Sequence, residues 1–215
     1  MGQSGTGKST LLKAMIGLVP INRGQIRFYG RNIGDLSAKQ LEEVRRDMAF
    51  VFQSGALFSS LTIFDNCALT LRERDRLPER DVQLRVTEAL DRVGLANAAS
   101  RMPGELSGGM VKRAGIARAL ALWPRVLLFD EPTTGADPIT TTSIMHHIKH
   151  ITGDSPIASV VVTHDVEAVE RYADRAALLL EGAVIWEGNP NGLNQTTNPV
   201  VQQFITGSVD GPIPL

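Results

Sequence analysis

The chain begins with Gly2-x-x-x-x-Gly7-Lys8-Ser9, followed by Thr10. Glycines at Gly2, Gly5 and Gly7 let backbone N–H groups converge on an anion without a Cβ in the way. Lys8 would bring a cation, mobile on its four-carbon stem, to the β and γ phosphates of a nucleotide, and the Ser9 hydroxyl can sit on Mg²⁺. The residues that follow, LLKAMIGL, read as a helix ended by Gly17 and Pro20. Its start would add roughly half a unit of positive charge to the same place. Two other readings compete. Met1-Gly2-x-x-x-Thr6 fits the pattern for attaching a myristoyl chain to Gly2, and the stretch could simply be a mobile Gly/Ser-rich terminus.

Two further segments carry chemistry of the same kind. In VLLFDE, residues 126–131, an apolar run ends in Asp130 and Glu131. Asp130 can hold Mg²⁺, usually through water, and Glu131 is then placed to polarise a water that attacks a γ-phosphate. A strand that merely ends in two solvated acids is the alternative. In LSGGMVKRAGIARAL, residues 106–120, Ser107-Gly108-Gly109 precede a helix. Their N–H groups would make a second anion site at a helix start, against the alternative of a Gly-rich cap on an ordinary helix.

The elements that must position these residues alternate. QIRFYG at 25–30 reads as a strand ending in a glycine turn, and residues 36–46 as a polar helix. DMAFVFQ at 47–53, RVLLFDEP at 125–132 and SVVVTHD at 159–165 are apolar strands that end in polar residues. Residues 54–120 read as mostly helical: Val82, Val86, Ala89, Leu90 and Val93 recur at helical spacing, and Gly94 closes that run. Residues 138–152 look helical, and 176–188 read as a hairpin about Glu181-Gly182. Strands alternating with helices predict an α/β fold with a mostly parallel sheet flanked by helices and a helical subdomain. Ligands on such sheets bind beyond the carboxyl ends of the strands, where Gln53, Asp130, Glu131 and His164 fall. In the tail, Asn198, Pro199 and Gly207 mark the cap, first position and stop of one short amphipathic helix.

Composition narrows the class. The 215 residues carry 22 basic and 23 acidic side chains, a net charge of −1, without a basic block. Nucleic-acid binding through bulk charge therefore has little support. The single cysteine, Cys67, cannot form an internal disulfide and reads as a small packed residue. The most apolar stretch, 119–129, is interrupted by Pro124 and Arg125 and is too short to cross a membrane.

Taken in order, GQSGTGKST, Gln53, LSGGM, VLLFDE, GADP at 135–138 and His164 resemble the ATPase subunit of ABC transporters over essentially the whole chain. The resemblance implies a P-loop NTPase fold with ATP and Mg²⁺ as ligands. It places Gly2, Gly5, Thr6, Gly7, Lys8, Ser9 and Thr10 around the phosphates, and Ser9, Gln53 and Asp130 at Mg²⁺ or its waters. It makes Glu131 the catalytic base, puts His164 on the γ-phosphate and gives Asp137 a part in communication across a dimer. Ser107, Gly108 and Gly109 would contact ATP held by the other subunit, as in a head-to-tail homodimer. Three departures stand out: Met110 replaces the glutamine after LSGG, Ala136 replaces a leucine, and the first strands, with an adenine-stacking aromatic, are missing before Gly2. A shortened start is the expectation from the last, and with it weak ATP binding and poor stability.

LSGGM with VKRAGIARAL, FQSGALF at 52–58, FDN at 64–66 and the tail NPVVQQFITGSVDGPIP look like the Mla/Mce-type phospholipid (toluene-tolerance) transport ATPases. That resemblance implies a membrane permease docked near the segment after Gln53, a small STAS-domain partner, and a peripheral place on the cytoplasmic face of the bacterial inner membrane. The tail helix, with Phe204 and Ile205, would either clasp a second ATPase subunit or fold onto its own domain. The expected organisation is one ATPase domain over residues 1–188, its helical subdomain about 54–120, and an extension over 189–215. The rival functions are a soluble ABC-type ATPase acting on nucleic acid or ribosomes, and a truncated inactive fragment. One cassette without a heptad run or basic tract speaks against the first rival.

Overall fold

The computed structural model of the protein describes residues 1–153 and 156–213. The chain divides into two compact units, one of Met1–Leu11 with Val162–Leu215, the other of Leu12–Val161. Of the extension expected over 189–215, Pro214 and Leu215 lie outside the described residues.

In the larger unit, β3 (Met48–Val51) pairs in parallel with β4 (Val126–Asp130), in register from Met48 opposite Val126 to Val51 opposite Phe129. β4 also neighbours β5 (Ala158–Val162), giving the order β3-β4-β5. Leu127, Leu128 and Phe129 are fully buried, as expected of a strand covered on both faces. The run at 25–30 is shorter than its alternation suggests. Only Arg27–Phe28 (β1) pairs, and its partner Arg31–Asn32 (β2) follows at once, because Tyr29 and Gly30 both take positive φ and turn the chain.

α2 (Ala38–Arg46) starts in a reciprocal cap: the Gln40 N–H donates to Ser37 Oγ and the Ser37 N–H to Gln40 Oε1. α3 (Ile63–Glu73), α4 (Glu79–Arg92) and α5 (Gly108–Leu120) pack on one another. α2 and α5 pack against β3. Val82, Val86, Ala89 and Leu90 form the inner face of α4, as their spacing requires. α6 (Pro138–Gly153) buries Ile144, Met145, Ile148 and Ile151. Arginines fasten these helices at their ends. Arg45 donates to the carbonyls of Ile16 and Gly17 at 2.8 and 2.9 Å, Arg113 to Val93 at 2.9 Å and Arg92 to Ile151 at 3.1 Å. Each cation supplies carbonyls that a helix end leaves without an intrahelical donor. Cys67 is buried on α3, and burial pushes its thiol up to about 12, which fits a packed residue and not a nucleophile.

In the smaller unit, β6 (Ala176–Leu180) and β7 (Ala183–Gly188) form the hairpin expected about Glu181-Gly182. Met1 lies extended beside β6: its amino group donates to the Ala177 carbonyl at 2.7 Å and its carbonyl accepts from the Leu179 N–H at 2.9 Å. Of α1 (Lys8–Met15) the first turn, Lys8–Leu11, belongs to this unit, and α7 (Val166–Tyr172) starts at Asp165, which accepts from the Ala168 N–H. α8 (Pro199–Thr206) has the caps its sequence announces, Asn198 before it and Gly207 after it. It packs on its own unit: Val201 joins Met1, Val169, Ala176, Leu178 and Leu193 in one core, with Phe204, Ile205 and Trp186 against it.

Candidate nucleotide site

The glycine loop lies in the smaller unit. Gly5 and Gly7 have φ of +81° and +96°, and a Cβ at Gly5 would meet nothing within 4 Å. Left-handed turns of this kind tilt successive N–H groups toward one point, which is the geometry of an anion nest. Gly2 plays a different part. Its N–H donates to the Thr163 carbonyl at 3.3 Å, and a Cβ on it would collide with the Leu179 carbonyl oxygen. Gly2 therefore fits the loop to its surroundings rather than offering a donor.

Lys8 is buried, with its ammonium donating to the carbonyls of Gly2 and Gln3 at 2.8 Å each. The sequence alone suggests a mobile cation; here the side chain folds back and holds the loop closed on itself. Thr6 adds a bond from its hydroxyl to the Gln3 carbonyl at 2.9 Å. Ser9 is half-buried and Thr10 exposed, both in the first turn of α1. His164, exposed in the same unit, stands between the Gly2 partner Thr163 and the α7 cap Asp165.

The remaining candidates belong to the larger unit. Asp130 ends β4 and is half-buried. Glu131 follows with φ of +50°, a conformation a residue with a Cβ adopts at a cost of roughly 1–3 kcal/mol. The turn that imposes it brings the Thr134 hydroxyl within 3.0 Å of Glu131 Oε2, to which it donates. Gln53 lies exposed beyond β3.

Ser107 caps α5, accepting from the Met110 N–H at 3.4 Å. Gly108 and Gly109 do not precede the helix but are its first two residues, so their N–H groups are among those a helix start leaves free of intrahelical partners. Gly109 is also needed for space: a Cβ there would lie 2.7 Å from Thr140 Cγ2. Asp137 is exposed and caps α6, accepting from the Thr140 N–H at 3.0 Å and the Thr140 hydroxyl at 2.6 Å. These bonds hold its carboxyl below the usual carboxylate range.

Two residues shape this region: Lys112, which the sequence shows only as part of a cationic helix side with Arg113 and Arg118, and Asn66. Lys112 donates to the carbonyls of Gln53 and Pro132 at 3.1 and 3.0 Å, and burial lowers its ammonium below the ordinary lysine value. Asn66, buried on α3, accepts from the Phe58 N–H at 2.7 Å and donates to the carbonyls of Phe58, Leu61 and Thr62. It thereby sets the loop that leads from Gln53 to α3. The FDN stretch carried Asn66 in view, but an asparagine alone does not announce which loop it will fold.

Comparison with known proteins gives consistent matches. The family model for ABC transporters covers residues 1–134. The intermembrane phospholipid transport system ATP-binding protein MlaF of Haemophilus influenzae is 46% identical over 213 residues, 99% of this chain and 81% of that protein. Among solved structures, cbiO1 of Clostridium perfringens, described as part of the ABC transporter complex cbiONQ, superposes with a TM-score of 0.85 at 31% identity, over 95% of this chain and 81% of that one. A dimeric ATP-binding cassette, MJ0796, in a post-hydrolysis state bound to ADP and Pi, superposes with a TM-score of 0.78 at 34% identity, over 88% of this chain and 83% of that one. With the family model spanning more than half of its length and a relative matching nearly all of it, this chain belongs to the ABC transporter family, as an ATP-hydrolysing cassette with a P-loop NTPase fold.

Proposed function

We propose that the chain is the ATP-binding and ATP-hydrolysing subunit of a transporter that energises phospholipid movement together with an Mce-type system. The observation that carries the hydrolytic part is Glu131, held at a left-handed turn directly after Asp130 with its carboxylate fixed by Thr134. The lipid part is supported by the relative named for phospholipid transport, which matches 99% of this chain.

The residues fit Mg²⁺-ATP. The Ser9 hydroxyl, the Gln53 side-chain oxygen and the Asp130 carboxylate are hard oxygen donors of the kind Mg²⁺ takes. Among the described residues no group of three or more His, Cys, Asp and Glu is gathered as a metal site. That suits an ion held by a few protein oxygens, substrate phosphates and water. Such an ion would neutralise charge on the β and γ phosphate oxygens. Gly5, Thr6, Gly7, Ser9 and Thr10 then cradle the phosphates, and Lys8 exchanges its carbonyl partners for phosphate oxygens. Glu131 takes the proton of the attacking water as the bond from the γ-phosphorus to its bridging oxygen breaks, with His164 against the γ-phosphate. In a homodimer, Ser107, Gly108 and Gly109 of one copy meet ATP held by the other, and Asp137 lies at the junction. The likeness to a dimeric cassette supports that arrangement.

In this reading the ATPase domain spans residues 1–188, with the helical subdomain at about 54–120 and an extension after it. No helix among the described residues is long and apolar enough to cross a membrane. The subunit would reach the cytoplasmic face of the inner membrane through a permease docked at the loop after Gln53, where Phe52 and Phe58 are exposed. A small STAS-domain protein completes the proposed assembly. Affinity purification of the tagged chain from native membranes tests the reading. An integral permease and ATP-dependent movement of labelled phospholipid in liposomes support it; nucleic acid or ribosomes in place of a permease contradict it.

A further inference from the structure

We propose that Lys112 is a positioning residue that fastens the glycine-started helix α5 to the Gln53 loop and to the Glu131 turn of its own protomer. A contact made at Ser107, Gly108 and Gly109 is thereby transmitted to Gln53 and Glu131. The proposal rests on the ATPase reading above.

One ammonium joins three segments distant in sequence. Lys112 Nζ donates to the Gln53 carbonyl, 59 positions away, at 3.1 Å and to the Pro132 carbonyl, 20 positions away, at 3.0 Å. Pro132 directly follows Glu131, so the bond grips the backbone of the turn that aims the carboxylate. The Gln53 bond grips the residue proposed to reach Mg²⁺ or its waters. Lys112 stands five residues after Ser107 on an unbroken helix, roughly 7 Å along its axis. A helix of this length moves as a rod, so displacement at its start reaches Lys112 undiminished.

The same face of α5 holds the loop at two more places. Arg118 donates to the Ala56 carbonyl at 2.5 Å. Gly115 lies so close to Gly55 that a Cβ on it would come within 2.9 Å of the Gly55 Cα. Residues 53–56 are therefore bound to α5 over successive turns and travel with it. Of these fastenings, only Lys112 also reaches the Glu131 turn.

The charge matters to this arrangement. An ammonium can satisfy two carbonyls at once, and a charged donor makes a stronger bond than a neutral one. A methionine of similar length would fill the space without making either bond. An arginine would restore donors and charge.

The test uses the full-length chain assembled with its permease in lipid, comparing wild type, Lys112→Met and Lys112→Arg. ATP turnover is measured against ATP and against Mg²⁺ concentration, with thermal melts alongside. The expected result for Lys112→Met is a kcat lower by about 10- to 100-fold, the cost of a misplacement near 1 Å. Its KM for ATP and its melting temperature stay close to wild type, the Mg²⁺ demand rises, and Lys112→Arg recovers most of the loss. Turnover of Lys112→Met within twofold of wild type overturns the proposal. So does a loss that falls equally on kcat and ATP affinity and that Lys112→Arg does not relieve, which marks general damage to the fold. If Lys112→Met does not fold, Lys112→Gln, which keeps a donor without the charge, takes its place under the same criteria. Failure of the ATPase reading shows separately, as absence of turnover in wild type.

Discussion

The Thr134 hydroxyl donates to Glu131 Oε2 at 3.0 Å, three residues along the turn that holds Glu131 at φ +50°. The bond fixes the direction of a carboxylate whose backbone is already constrained. Removing it leaves Glu131 in place but takes away one of the bonds that aim its carboxylate. A neutral hydrogen bond contributes about 0.5–1.5 kcal/mol net and one to a charged group about 1.5–3. Thr134→Val is therefore expected to lower kcat by roughly 3- to 100-fold with ATP binding unchanged. Steady-state kinetics beside equilibrium ATP binding check this.

Asn66 answers a different need. Its amide satisfies Phe58, Leu61 and Thr62 from a buried position, so Asn66→Ala leaves backbone groups without partners. The expected cost is about 1–3 kcal/mol of unfolding free energy, read by chemical denaturation. Because the same loop carries exposed Phe58, assembly with the permease should weaken in Asn66→Ala even where the cassette remains folded.

Asp137 gives a dependence on pH. The Thr140 hydroxyl and N–H hold its carboxyl below the ordinary value of 3.8. A carboxylate whose folded pKa is depressed contributes stability that is fully present above the unfolded value and is lost as pH falls through the folded one. The melting-temperature advantage of wild type over Asp137→Asn should therefore be widest above about pH 5 and narrow as pH drops below the ordinary aspartate range. Melts between pH 3 and 7 measure it. An advantage independent of pH would show that the charge on Asp137 plays no part in the cap.

Much of this architecture is local and was legible. Asn198, Pro199 and Gly207 bound α8 because caps act over a few residues, and Val82, Val86, Ala89 and Leu90 face inward because a helix repeats. Asp130 ends β4 and Glu131 follows it directly, as an apolar run closing in acids suggests. What sequence did not yield was action at a distance. Lys112 reaching Gln53, Arg45 closing the end of α1 and Met1 pairing with Ala177 each join residues whose separation no pattern records. The burial of Lys8 against the carbonyls of Gly2 and Gln3 was hidden for another reason: the motif names the phosphate it serves and is silent about the bonds made within the loop. β1 is only two residues long although the alternation runs on through Tyr29, because the backbone turns there instead.

The most direct measurement is ATP turnover and ATP binding by the assembled complex carrying Glu131→Gln, with Lys8→Ala as comparison. Glu131→Gln should lose about 10²- to 10⁴-fold in turnover, the range for a general base, while binding ATP as wild type does. Lys8→Ala should lose ATP binding itself. Turnover of Glu131→Gln within a few-fold of wild type would contradict the assignment of the water-activating group to the end of β4.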